Sequence, residues 1–236
     1  MKEWAAKRFW TSAGINRTDQ GFTVELDGRP VRTPAKAALI LPTERMALAV
    51  AAEWDAQDEK VDAATMPVTR SANAAIDKVA RQFAEAADML AEYGDCDQIC
   101  YRALEPARLV QRQSAAWDPL LDWARKRYGA RLVPVAGVIH RPQSARSLAQ
   151  IRKPLDAMTA FELTATHDLV SLSGSLVIGL AAADRAWPVE KLWEWSRIDE
   201  SWQAEQWGQD ELAAADADKR RHAFFAAARF IDMSSG

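Results

Sequence analysis

The run Phe22-Thr23-Val24-Glu25-Leu26-Asp27-Gly28-Arg29-Pro30-Val31-Arg32-Thr33 decides the fold class. Residues 22–26 alternate apolar and polar side chains, the two-residue period of a half-buried strand. Asp27-Gly28 then supplies two residues that tolerate positive φ, as a tight hairpin turn requires, and a second extended run follows. Pro30 and Pro34 lack a donor N–H, which suits the edge of a sheet. Residues 38–41 form a further short apolar run, expected to add a strand. A lone hairpin is marginal in water, so this β unit must pack against something larger.

The larger body is helical. Pro42-Thr43-Glu44 reads as a helix start with Thr43 as N-cap, and Met46, Val50, Ala51 and Trp54 follow at helical spacing. Met66-Pro67 opens another helix, with Ala72, Ala75, Ile76, Val79 and Phe83 on one stripe. Residues 106–117 predict a helix, and Asp118-Pro119 predicts a fresh start, a capping carboxylate before a proline, running to a stop at Gly129. Residues 131–138 are apolar and β-branched, the pattern of an extended connector. A helix from about Ser144 should break or kink at Pro154. Residues 160–183 read as one long helix buried on most sides, with Gly174 and Gly179 allowing a neighbour to approach closely. Pro188 opens a helix that runs through Trp207 to Gly208, and Asp210 caps the last one, which ends near Met233. The expected class is α+β: a small N-terminal β domain over residues 1–41, then a larger, mostly helical domain over 42–236.

Composition narrows the function. The 236 residues are 49% hydrophobic and 27% charged, enough apolar mass for a sizeable core. A net charge of −3 lacks the basic surplus that holds nucleic-acid phosphates, so no nucleic-acid partner is expected. The N-terminus has no apolar signal-peptide core, and the run 169–183 is too short to span a bilayer. A cytoplasmic protein is expected, or a mitochondrial-matrix one if the chain is processed, without membrane insertion and monomeric when free. Two cysteines, Cys96 and Cys100, cannot close a tetrahedral zinc site alone and are expected to be reduced thiols.

Enzyme signatures are missing. The sequence has no glycine-rich phosphate loop, no H-E-x-x-H pair and no G-x-S-x-G elbow, and its three histidines, His140, His167 and His222, are isolated. No cofactor or metal is expected. The competing reading is a small-molecule-binding protein or cryptic enzyme, with a pocket between the β unit and the helices and Asp95, Asp97, Tyr101 and Arg102 as its polar cluster.

Several motifs stand in a fixed order: the hairpin run 22–34, Glu53-Trp54-Asp55-Ala56-Gln57, Met66-Pro67-Val68-Thr69, and Asp97 to Tyr101-Arg102. They continue with Gln113 through Trp117-Asp118-Pro119 to Trp123, Asp199-Glu200-Ser201-Trp202-Gln203, and Trp207-Gly208-Gln209-Asp210-Glu211. Over residues 8–233 they together resemble one family, the assembly chaperones that handle the α subunit of the F-type ATP synthase. The resemblance implies a small β domain with a larger helical one, no ATP or cofactor, and binding of the free α subunit until the β subunit takes it over.

The client face is expected on the C-terminal helices. On a helix Asp199, Gln203 and Trp207 share one face and Glu200 lies beside it, with Asp210 and Glu211 following. Glu200 is the first candidate and Glu211 the second. The N-terminal hairpin, carrying Arg29 and Arg32, is the rival client site.

Overall fold

A computed structural model of the chain describes residues 7–208 and 210–235. Two compact units emerge: Met1–Phe83 with Ala160–Ala165 and Arg229–Gly236, and Ala84–Thr159 with Thr166–Ala228. The architecture is α+β, a small N-terminal sheet followed by ten helices among the described residues.

In the first unit, β1 (Ala13–Thr18), β2 (Gly21–Leu26) and β3 (Arg29–Pro30) form an antiparallel sheet in the order β1-β2-β3. Asp27 and Gly28 take φ of 47° and 76°, as the sequence requires of this turn. Asp27 has a second task. Its carboxylate accepts from the backbone N–H of Thr11 and of Ser12, both at 3.0 Å, and these donors hold its pKa below the ordinary value. The run 38–41 forms only isolated bridges, Arg32↔Ala38 and Phe22↔Leu41, instead of a strand. Pro34 and the left-handed Lys36 turn the chain here, so only single pairs align.

The sheet buries Val24 and Leu26, and the chain that follows buries Leu39 and Leu41. Against β1 and β2 packs α1 (Glu44–Asp55), which buries Met46, Ala47, Val50 and Ala51. Thr43 caps α1, its hydroxyl accepting from Met46 N at 3.2 Å. The next helix, α2 (Pro67–Ala74), has no cap from Met66. Glu53 replaces it: its carboxylate accepts from Val68 N and Thr69 N, each at 2.8 Å, and from the Thr69 hydroxyl at 2.7 Å. A π-helical turn, Ala75–Val79, follows, and its Asp77 accepts from the Thr33 hydroxyl at 2.7 Å.

After α3 (Phe83–Glu92), the second unit pairs two short strands in parallel, β4 (Tyr101–Arg102) and β5 (Val135–Ala136). Its central helix, α4 (Ala107–Tyr128), runs unbroken through Pro119, where the sequence suggested a new helix start. The stripe Leu109, Gln113, Ala116, Trp117, Leu120, Leu121, Ala124 is buried along its whole length, so packing outweighs the one backbone bond that Pro119 forfeits. Asp118 caps nothing; its carboxylate pairs with Arg102 at 2.9 Å. Gly129, in left-handed conformation (φ 73°), ends α4 as expected. Ser144 caps α5 (Ala145–Asp156), which accommodates Pro154 in its last turn rather than breaking there.

The run 160–183 is two helices, α6 (Ala160–Ser173) and α7 (Leu176–Ala183). Gly174, at φ 69°, ends α6, and Ser175 caps α7 by accepting from Ile178 N at 3.1 Å. The break needs glycine for its φ, and a Cβ on Gly174 would also have to displace the Gln98 side-chain amide that packs against it. The carboxylate of Asp97 fills the gap, accepting from Val177 N at 3.0 Å and Ile99 N at 3.2 Å. The run 188–207 is likewise divided at Arg197, into α8 (Val189–Ser196) and α9 (Ile198–Trp207). The last helix, α10 (Glu211–Ser234), starts at its Asp210 cap.

Tryptophans fill much of the second unit. Trp117 is fully buried and donates to the carbonyl of Trp195 at 2.8 Å, while the guanidinium of Arg102 lies 5.2 Å from the centre of its ring. Replacing Trp117 with Ala should cost about 3–5 kcal/mol, seen as a lowered urea midpoint at unchanged slope. Asp97 gives a pH signature. Burial pushes its carboxyl from 3.8 up to about 6, against its hydrogen bonds, which favour the charged form. Because the folded state holds this proton more tightly, its contribution is complete below about pH 4 and is lost as pH rises through about 6. Urea denaturation of wild type and Asp97→Asn should show the stability difference, wild type minus variant, falling by on the order of 3 kcal/mol between pH 4 and 7. A difference independent of pH would refute the buried-acid assignment.

Candidate functional site

Two polar ties lay α9 along α4. Gln113, itself buried, donates through Nε2 to Asp199 at 2.6 Å and accepts at Oε1 from Ala103 N at 2.8 Å. Arg112 pairs with Glu205 at 2.7 Å. Ile198 is buried at the start of the helix. These contacts leave the opposite side of α9 facing water.

The six residues expected at the client face divide by task. Asp199 is half-buried and held by Gln113, and Asp210 caps α10 by accepting from Ala213 N at 2.9 Å. Glu200, Gln203, Trp207 and Glu211 are exposed. Glu200 is also steadied by Arg197, one turn back, at 2.8 Å. Trp207 is 79% exposed at the C-terminal end of α9, and Gly208 stops the helix beside it. Leu212, 83% exposed in the first turn of α10, is a second apolar side chain that sequence reasoning missed. Its signal was a large apolar residue directly after Asp210-Glu211, ahead of the small Ala213-Ala214-Ala215.

Charge gives this region its character. Residues 198–218 carry seven acidic side chains and no Lys or Arg. An exposed indole and an exposed leucine set in such a field make a surface with apolar anchors and an anionic rim. It is suited to a basic protein surface and has no groups arranged for bond-making chemistry.

The rival polar cluster does not converge. Asp97 is enclosed at the α6–α7 break, Arg102 is engaged by Trp117 and Asp118, and Asp95 and Tyr101 meet only through His140. On the hairpin, Arg29 is exposed and Arg32 donates to the carbonyl of Lys36 at 3.0 Å. Cys96 is exposed and Cys100 is buried, both free, with burial raising the Cys100 thiol pKa. Among the described residues no group of three or more His, Cys, Asp or Glu side chains could hold a metal ion.

A family described as "ATP12 chaperone protein" matches residues 7–125. The chain belongs to the ATP12 chaperone family. Its structure is similar to the crystal structure of Atp12 from Paracoccus denitrificans, 47% identical, with a TM-score of 0.94 over 98% of this chain and 100% of that one. It is similar also to a chaperone-like protein of Agrobacterium tumefaciens, 39% identical, with a TM-score of 0.92 over 96% and 85% of the two chains. A fission-yeast relative, the mitochondrial protein atp12 of Schizosaccharomyces pombe, is 24% identical over 215 residues, covering 86% of this chain and 74% of that one. The chain is therefore an ATP12-type ATP synthase assembly chaperone and not an enzyme. Among the described residues, no helix is long and apolar enough to cross a membrane.

Trp207 is the one exposed tryptophan among the described residues. Trp207→Ala should change stability by less than about 0.5 kcal/mol, as exposed substitutions do. The same variant should lose the component of tryptophan fluorescence most readily quenched by acrylamide. Undiminished quenching would place Trp207 in the interior.

Proposed function

We propose that this ATP12-type chaperone binds the free α subunit of the F-type ATP synthase head, prevents its aggregation and releases it to the β subunit. Family membership supports the class. The single structural observation that carries the reading is the exposed pair Trp207 and Leu212 within the acidic run 198–218. Exposed apolar side chains grouped in one region and rimmed by polar residues are the kind of surface that serves protein contact.

The physics of the task is mass action. A subunit with uncovered interface surface aggregates, and a binder of that surface lowers its free concentration. Release to the β subunit requires that the chaperone bind more weakly than the subunit that replaces it. A face of a few aromatic and aliphatic anchors with an acidic rim meets that requirement, because rim charges guide encounter while few residues carry the affinity. Within it, Glu200 and Glu211 would meet cations of the client, Trp207 would fill an apolar recess, and Gln203 would hydrogen-bond beside them. Asp199 and Asp210 would act indirectly, by holding α9 on α4 and by starting α10.

The test is co-purification of the tagged protein with separately expressed α and β subunits, followed by size-exclusion chromatography. A complex with α that β dissolves is the expected result; a complex with β alone would assign a different client. Glu200→Lys should weaken the α complex on the order of ten-fold or more while costing no more than about 1 kcal/mol of stability, the scale of the exposed Arg197–Glu200 pair it removes. Full binding by a folded Glu200→Lys protein would remove this face from the proposal.

A further inference from the structure

A second surface of the same unit is built for contact and is not explained by the acidic face. Residues 131–146 form an arm that rises from the end of α4, passes through β5 and returns to α5. Its tip, Val138-Ile139, is 91% and 81% exposed; Leu104 is 73% exposed, and Val133, at the neck, is 55% exposed. A Cβ placed on Gly137 (φ 86°) would come within 3.9 Å of the Leu104 side chain, so exposed Leu104, two residues beyond β4, lies close to the arm just before its tip.

The arm is rigidly held. At its neck the Gln143 amide pairs with the backbone of Val133 in both directions, accepting from its N–H at 2.8 Å and donating to its carbonyl at 3.0 Å. Gln143 N donates to Asp95 at 2.6 Å. His140, directly after the tip, is clamped on both ring nitrogens: Tyr101 OH lies 3.0 Å from Nδ1 and Asp95 lies 3.3 Å from Nε2. Gly137 N donates to the carbonyl of Arg102 at 2.8 Å. Pro134 and Pro142 stiffen the two limbs. None of these bonds buries the tip. They fix an apolar projection in water, and fixing it beforehand removes an ordering cost that binding would otherwise meet.

Charge identifies the occupant. Residues 129–146 contain Arg131, Arg141 and Arg146 and no acid, and all three arginines are exposed. This is the opposite sign to the run 198–218. We propose that the arm is a second docking element, which inserts Val138 and Ile139 into an apolar recess of the client protein rimmed by carboxylates. The two faces would then demand a client with one basic and one acidic contact region, and that double requirement would confer specificity. The tip contains no tryptophan, tyrosine or phenylalanine, the residues that favour a lipid interface, so a protein recess fits it better than a bilayer.

This inference rests on the chaperone reading and is separable from its acidic face. Val138→Ser/Ile139→Ser and, independently, Arg141→Glu should each weaken the α-subunit complex on the order of ten-fold, with circular dichroism and melting temperature unchanged. Raising salt should weaken wild-type binding more than binding by Arg141→Glu. A wild-type complex that both variants leave intact overturns the arm alone. Failure of the wild-type protein to bind α overturns the function proposal and the arm with it. Flotation of wild type, but not of the double serine variant, with phosphatidylglycerol vesicles would assign the tip to a lipid surface and overturn the protein recess.

Discussion

Asp97 lies out of reach of water, and its carboxylate is met by the backbone N–H groups of Ile99 and Val177 and by the hydroxyl of Ser175. A charge in that position is costly unless donors surround it, and the donors here are the first turns of two neighbouring elements. The arrangement joins the segment before β4 to the start of α7, a helix whose residues 176–182 are all buried. Gln98, the next residue, donates from its backbone to Gly174 and from its side chain to Ser196. Four segments of the second unit thus meet at residues 97–98. Loss of this junction would leave the N-terminus of an all-apolar helix without partners for its backbone, with no solvent to supply them.

The same unit separates the polar groups that hold it from those it shows to water. Gln113, Asp199, Arg102 and Asp118 are used internally, and they position α9 and β4. The surface carries, among other groups, an acidic face with Trp207 and Leu212 and a cationic arm tipped by Val138 and Ile139. A protein that handles another protein needs shape and charge on rigid supports, and the hydrogen bonds of α9 and of the arm's neck supply that rigidity.

Local chemistry was legible where a residue's own conformation or hydrogen bonds settle the matter. Asp27-Gly28 specifies its turn, Thr43, Ser144 and Asp210 specify helix starts, and Gly129 and Gly208 specify stops. The reading failed where burial competes with a local signal. Asp118-Pro119 looks like a helix start, yet the stripe around Trp117 and Leu120 carries α4 across it. The run 160–183 reads as one helix by its apolar content, yet Gly174 and Ser175 divide it, and Asp97 and Gln98, some eighty residues away, pack against the break. For the candidate site, Glu200, Gln203, Trp207 and Glu211 are exposed in one region, whereas the sequence could not separate them from Asp199, whose partner lies on α4.

By itself, the sequence determined the class of the fold, its turns and caps, and the family, because each follows from residues close together in the chain or from motifs in fixed order. Only the tertiary structure decided which carboxylates are buried, which tryptophan is exposed, and that the apolar run 131–138 ends in a projecting tip rather than in the core. Those outcomes depend on which distant side chain reaches a group first. Asp199 is taken by Gln113, Asp97 by α7 and His140 by Asp95 and Tyr101, and no periodicity records such encounters.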